Sequence, residues 1–228
     1  MKGLFITGTD TGIGKTFFTL AGIHALQQAG IKATAMKPVA SGAELIGGQL
    51  RNEDALAIQQ AIAHAVPYEL INPYCFAPAI SPHLAAAQAQ TEIELDNIQS
   101  VYHRLIDNEQ FVLVEGVGGW LAPLSETTTV ADLAGVFALP IVLVVGVRLG
   151  CLNHALLTAQ AIEHAGYTLA GWVANCIDPE CDFVSEQIDY LSSRLASSPL
   201  LIIPYRSQVN EFGTGLADQL LSLSTYKQ

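Results

Sequence analysis

"TGTDTGIGKT", Thr7–Thr16, packs three glycines, four threonines and one lysine into ten residues, directly behind the apolar stretch "GLFI". That much backbone freedom, followed at once by a positive charge and a hydroxyl, suits a loop that wraps an anion. Glycines let backbone N–H groups converge on oxyanions, and a helix starting at the loop's end adds its positive dipole. In such a loop Lys15 neutralises the outer phosphates of a nucleotide and the Thr16 hydroxyl ligates Mg²⁺. The alternative is a plain glycine turn that caps a helix.

The spacing is a variant one. Five residues, not four, separate Gly8 from Gly14, and Thr9 stands where a first glycine is usual. The partition and cell-division ATPases use K-G-G-x-G-K-[ST], whose first lysine falls here on Asp10. An acid at that position speaks against a switch ATPase of that kind.

Outward from the loop, short apolar runs alternate with helical stretches. "GLFIT" reads as a strand, and Thr16 to Ala29 as a helix stopped by Gly30. "KATAMK" is the next strand, followed by a glycine-rich loop to about Gly48 and a helix from Asn52 to about His64. A strand around "INPYCF" and a helix from Leu95 to Asp107 come next. Then "FVLVE", "PIVLVVGV", "LAGWVAN" and "PLLIIP" alternate with helices from about Val130, Asn153 and Phe183. These strands are nearly continuous apolar runs, as expected where helices cover both faces. The fold class is therefore α/β: a doubly wound, mainly parallel sheet with helices on both faces, P-loop NTPase-like. No internal repeat or linker interrupts residues 1–228, so one domain is expected.

Bulk properties exclude several functions. The chain has 228 residues, half of them hydrophobic and 14% charged, with a net charge of −11. An acidic protein of this kind is not expected to bind nucleic acid. The longest apolar run, Leu133 to Val147, is broken by Pro140 and is too short for a membrane span. "MKGLFITG" lacks the features of a signal peptide, and Cys75, Cys151, Cys176 and Cys181 form no CxxC pair. A cytoplasmic protein with reduced thiols is the expectation.

In open parallel sheets, ligands sit at the carboxyl ends of the strands. Lys37 ends the second strand, either as a solvated charge or as a site cation. Ser41 and Gly42 follow in a loop and suit a turn equally well. Asp54 lies near a helix start, where an acid is favourable in any case. Glu115 is delivered by "FVLV" to a buried strand tip and followed by glycines, which suits a Mg²⁺ ligand. The backbone N–H groups of Gly150 to Asn153 offer a second anion site. His154 suits helix packing better than catalysis. Asn175 ends a further strand, as an adenine-reading amide or a turn residue.

The set "TGTDT…GKT", "KPVASG", "LRNEDAL", "NPY.F", "SPH", "LVEGVGGW", "VVGVRLGCLNHALLT" and "AGWVAN" resembles dethiobiotin synthetase, in order from Phe5 to about Asn175. The resemblance implies an ATP-dependent cyclo-ligase of biotin synthesis that uses ATP and Mg²⁺. CO₂ adds to one amine of 7,8-diaminopelargonate to give a carbamate. The carbamate oxygen attacks the γ-phosphate, and the second amine closes the ring of the resulting mixed anhydride and expels phosphate. By the same resemblance Thr16, Asp54 and Glu115 hold Mg²⁺. Gly12, Ile13, Gly14, Lys15, Thr16 and Phe17 wrap the phosphates, with Gly116, Val117 and Gly118 beside them. Thr11, Lys15 and Lys37 take part in catalysis, and Lys37 and Ser41 contact the diamine or its carbamate. Asn175 and Cys176 meet the adenine, with Pro204, Tyr205, Arg206 and Glu211 completing that pocket. Gly150, Cys151, Leu152 and Asn153 receive the substrate carboxylate, in a family that works as a homodimer with small-molecule partners only.

The chain departs from the family in two places. Some members carry Glu at the position of Gly12. Beyond about Pro179 the likeness fades, and a tyrosine that some members aim at the substrate falls on Gln187, one turn before Tyr190. The rival readings are a nucleotide-switch ATPase with a protein partner and a related ATP-dependent amide-forming ligase.

Overall fold

The structure, a computed structural model, describes residues 2–107 and 109–225. In chain order the elements are β1 (Lys2–Gly8), α1 (Lys15–Gln28), β2 (Ala33–Met36), β3 (Val39–Ser41), β4 (Glu44–Ile46), β5 (Gln49–Arg51) and α2 (Glu53–Ala61). Next come α3 (Tyr68–Ile71), β6 (Tyr74–Phe76), α4 (Pro82–Gln88), α5 (Leu95–Leu105), β7 (Phe111–Glu115) and α6 (Val130–Phe137). The chain continues with β8 (Ile141–Val147), α7 (Cys151–His164), β9 (Leu169–Cys176), α8 (Val184–Arg194), β10 (Leu201–Ile203), a 3₁₀ turn (Val209–Glu211) and α9 (Thr214–Leu223).

Six strands form one parallel sheet in the order β10-β9-β8-β1-β7-β2. Side-chain alternation explains the apolar runs. Leu4 and Ile6 of β1 join Leu113, Val142, Val144 and Val173 in a core with α1 and α9. Phe5, Val112 and Val114 point the other way, against α5 and α6. Leu143, Val145 and Trp172 on that opposite face pack against α7 and α8. The doubly wound α/β architecture expected from the strand composition is thus the one observed.

The region between β2 and α5 departs from the simple alternation. The strand in "INPYCF" exists as β6, but it pairs with β3 outside the central sheet. The glycine-rich loop contains a hairpin, β4 with β5, turned by Gly47 and Gly48, both at positive φ. That turn needs left-handed backbone at both central residues, which Gly-Gly allows. The short helices α3 and α4, and the last helix α9, were not legible in the sequence.

The predicted helix starts hold within a residue or two. The capping side chain of α2 is Asn52, which accepts the Ala55 N–H at 3.3 Å. α6 opens with a capping box between Thr129 and Asp132. α7 starts at Cys151, two residues before the expected Asn153.

Candidate active site

The central strand β1 drives the chain into the loop Thr9–Gly14, and α1 carries it away. Gly14, the residue that caps α1, has φ +93°. A Cβ added there would lie 2.1 Å from the Asn175 amide nitrogen, so only glycine fits. The Asn175 side chain donates to the Ile13 carbonyl at 2.8 Å, tying the loop to the end of β9. Asp10 braces its outer side: the carboxylate accepts the Thr11 N–H at 2.7 Å and pairs with Arg148 at 2.8 Å.

Within the loop the Lys15 ammonium donates to the carbonyls of Asp10 and Gly118, each at 2.7 Å. Burial lowers its pKa to about 8, against the opposing pull of Glu115. Among the described residues this lysine is held by backbone carbonyls and pairs directly with no carboxylate.

Glu115 is fully buried at the tip of β7. One carboxylate oxygen accepts from Thr16 at 2.7 Å and from Lys37 at 2.8 Å; the other accepts from Thr19 at 2.9 Å. Lys37 also donates to Asp54 at 2.5 Å. The solvated-charge reading of Lys37 is thereby excluded, since its side chain is only 6% exposed and lies between two carboxylates. Burial by itself would lower the Lys37 pKa; Glu115 and Asp54 outweigh it and leave the ammonium above its ordinary value. Asp54 is not a passive cap acid, because its carboxylate accepts from Lys37, the residue that follows β2.

These groups open onto one cavity of about 690 Å³. Of the sequence-selected residues, Thr11, Gly12, Gly14, Lys15, Thr16, Lys37, Ser41, Asp54, Glu115, Val117 and Gly118 line it. Ile13 is buried, and its carbonyl accepts from Asn175. Gly116 hydrogen-bonds β1 behind the wall, its N–H donating to the Ile6 carbonyl at 2.9 Å.

The others stand elsewhere. Gly150 to Asn153 open α7 at the end of β8, outside this cavity, with the Cys151 thiol donating to Gln187 at 3.2 Å. His154 is exposed there. Cys176 ends β9; Pro204, Tyr205, Arg206 and Glu211 are exposed beyond β10. Phe17 faces that side, edge-on to Phe212 at 6.0 Å between ring centroids.

Sequence reasoning missed part of the cavity lining: Ala79, Ile80, Ser81 and Pro82, which lead into α4, together with Asn52, Gly119 and Ala122. The "SPH" motif was the available signal, since Ser-Pro is a helix-start pattern.

A family model described as "AAA domain" matches residues 2–212. ATP-dependent dethiobiotin synthetase BioD of Pseudomonas aeruginosa (strain UCBPP-PA14) is 48% identical over 205 residues, covering 90% of both chains. The protein of the same name from Xanthomonas euvesicatoria pv. vesicatoria is 48% identical over 89% of this chain and 90% of its own. Among solved structures, the cell division protein MinD of Aquifex aeolicus superposes with a TM-score of 0.57 at 14% identity, over 98% of this chain and 95% of its own. The pNOB8 ParA structure gives 0.58 at 12% identity, over 97% and 98%. At such identities these two share the fold alone. With nearly half of its residues matched along nine-tenths of its length, the chain belongs to the ATP-dependent dethiobiotin synthetase family.

Proposed function

We propose that this chain closes the cyclic urea of dethiobiotin from 7,8-diaminopelargonate and CO₂, converting ATP to ADP and phosphate. The observation that carries the reading is the convergence of Lys15, Thr16, Lys37, Asp54 and Glu115 on one cavity. The reaction gathers negative charge as carbamate, triphosphate and leaving phosphate. Cations fixed in a closed site stabilise such charge where it develops. Lys15, at the loop, suits the β- and γ-phosphates. Lys37, held by Glu115 and Asp54, suits the carbamate and the oxygen it drives toward phosphorus. Ser41 and Thr11 offer hydroxyls to the reacting groups, and the start of α4 lines the same cavity.

The donor set fits Mg²⁺. Thr16, Asp54 and Glu115 present oxygens only, as a small hard cation requires, and the Lys37 ammonium already lies between the two carboxylates. When bound, the ion neutralises charge on the triphosphate. The nucleotide's base is assigned to Asn175, Cys176, Pro204, Tyr205, Arg206 and Glu211, and the substrate carboxylate to Gly150–Asn153. The first assignment is supported by Phe17 turning toward Phe212.

The decisive assay is phosphate release from ATP. It should rise sharply only when the diamine and bicarbonate are both present, with one ring closed per ATP. Rapid turnover with ATP alone, unchanged by the diamine, would instead mark a switch ATPase.

The Lys15 environment sets a pH dependence. With a pKa of about 8, the free site holds a charged Lys15 below pH 8 and loses the proton above it. An anionic nucleotide favours the charged form, so binding above that pH must take up a proton. ATP affinity should fall as pH rises above about 8, by up to about tenfold per pH unit. Titration calorimetry in buffers of differing ionisation enthalpy reads the proton uptake directly; none at pH 9 would refute it.

The same reading takes the chain as one domain and as a homodimer. Support for the dimer comes from four large apolar side chains exposed on or next to α7 and α8: Leu149, Leu157, Phe183 and Tyr190. Among the described residues no helix is long and apolar enough to cross a membrane. Sedimentation at assay concentration should show a two-fold dimer; a fully active monomer would contradict it.

A further inference from the structure

"LRNEDAL" and "NPY.F" supply more to the site than Asp54. Asn52, which lines the cavity, and Tyr68 and Asn72, which do not, are all buried. The Tyr68 hydroxyl accepts the Asn52 N–H at 2.8 Å and donates to Asn72 Oδ1 at 2.9 Å. The Asn72 amide donates both hydrogens, to the Lys37 carbonyl at 2.7 Å and the Tyr74 carbonyl at 3.1 Å. Asn52 in turn caps α2 through its Oδ1 and donates from Nδ2 to the Ser41 carbonyl at 3.3 Å. The Arg51 guanidinium lies 4.1 Å over the Tyr68 ring.

One phenol oxygen therefore stands between the helix start that carries Asp54 and the backbone that carries Lys37 and Ser41. We infer that Tyr68 is a positioning residue of the active site, its hydroxyl acting through Asn52 and Asn72 to hold Asp54 and Lys37 at their working separation. The inference rests on the ring-closing reading for the reaction it serves.

The network is suited to that task because it is saturated. Both ends of the Asn72 amide are engaged, and the Tyr68 oxygen both accepts and donates. Buried networks with all members satisfied are rigid, since no member can turn without leaving another unpaired. Burial also pushes the Tyr68 pKa up, so the hydroxyl keeps the proton it donates. The Cys75 thiol, 3.6 Å away, is a weak further neighbour. A hydroxyl serving only to satisfy core polar groups would have no reason to tie these three functional backbones together.

Tyr68→Phe removes one oxygen and keeps the ring under Arg51. If Tyr68 positions the pair, kcat should fall by about tenfold or more, because small misplacements of reacting groups are costly. KM for ATP should stay within about twofold, since the phosphate loop is held by other contacts. In a Lys37→Ala background the same substitution should cost clearly less in kcat than in the parent, because one of the two groups it places is gone. A second readout needs no turnover: the ¹⁵N resonance of the Lys37 ammonium should be sharp in the parent and broadened in Tyr68→Phe. Should Tyr68→Phe not fold, Asn72→Ser is read in the same way. A folded variant with kcat within about twofold of the parent, or an equal loss in both backgrounds, overturns the inference. A parent that closes no ring overturns the functional reading instead, and the resonance then still decides the placement of Lys37.

Discussion

Lys37→Ala is expected to lose turnover on the order of 10²- to 10³-fold, the usual cost of removing one preorganised charge contact from a closed site. Nucleotide affinity should change little, because Lys15, not Lys37, sits in the phosphate loop. The structure adds a stability effect. Glu115 is fully buried, and without Lys37 its partners are the hydroxyls of Thr16 and Thr19. Removing one partner of a buried ion pair typically destabilises by about 3–5 kcal/mol. Asp54, with a side chain 44% exposed, turns to water instead and adds little. Lys37→Arg should not restore the rate, since a planar fork does not fit the gap that a compact ammonium fills between two carboxylates. Turnover, ATP affinity and melting temperature are measured on the same folded samples. A Lys37→Ala rate within about threefold of the parent, roughly 0.7 kcal/mol, would remove the lysine from catalysis.

Glu115→Gln should be the second large effect, on both metal use and stability. The substitution keeps the side chain's shape and one acceptor oxygen while deleting the charge. Half-saturation in Mg²⁺ should rise by at least the roughly 10- to 100-fold that loss of even an outer partner costs. Asp54→Asn should act in the same direction and more mildly, because its carboxylate is half in water. Stability should also fall with Glu115→Gln, since among the described residues Lys37 then keeps Asp54 alone as counter-charge in a buried place. Mg²⁺ titration curves unchanged for both variants would take the two carboxylates out of the metal shell.

The sequence by itself determined what short-range physics controls. Gly-Lys-Thr behind an apolar strand set the phosphate loop, because Gly14 must adopt φ +93° where a Cβ has no room. Doubly apolar strands set a parallel sheet covered on both faces. The same strand rule put Lys37 and Glu115 at strand ends, and Asn52 announced the helix that carries Asp54. It was silent on what those charges do to one another. Lys37 and Glu115 are 78 positions apart in the chain, and only the pairing of β2 with β7 brings them to 2.8 Å. That pairing turns Lys37 from a solvated charge into a buried counter-ion. Likewise, the cavity lining at Ala79–Pro82 and the Asn52–Tyr68–Asn72 bracket come from segments outside the main sheet. A four-residue helix or a three-residue strand has too few residues to display a period, and its place is set by what it packs against. The composition of the site was thus local information, and its electrostatics were decided by the fold, because charge–charge energies depend on distance and burial that no stretch of chain contains alone.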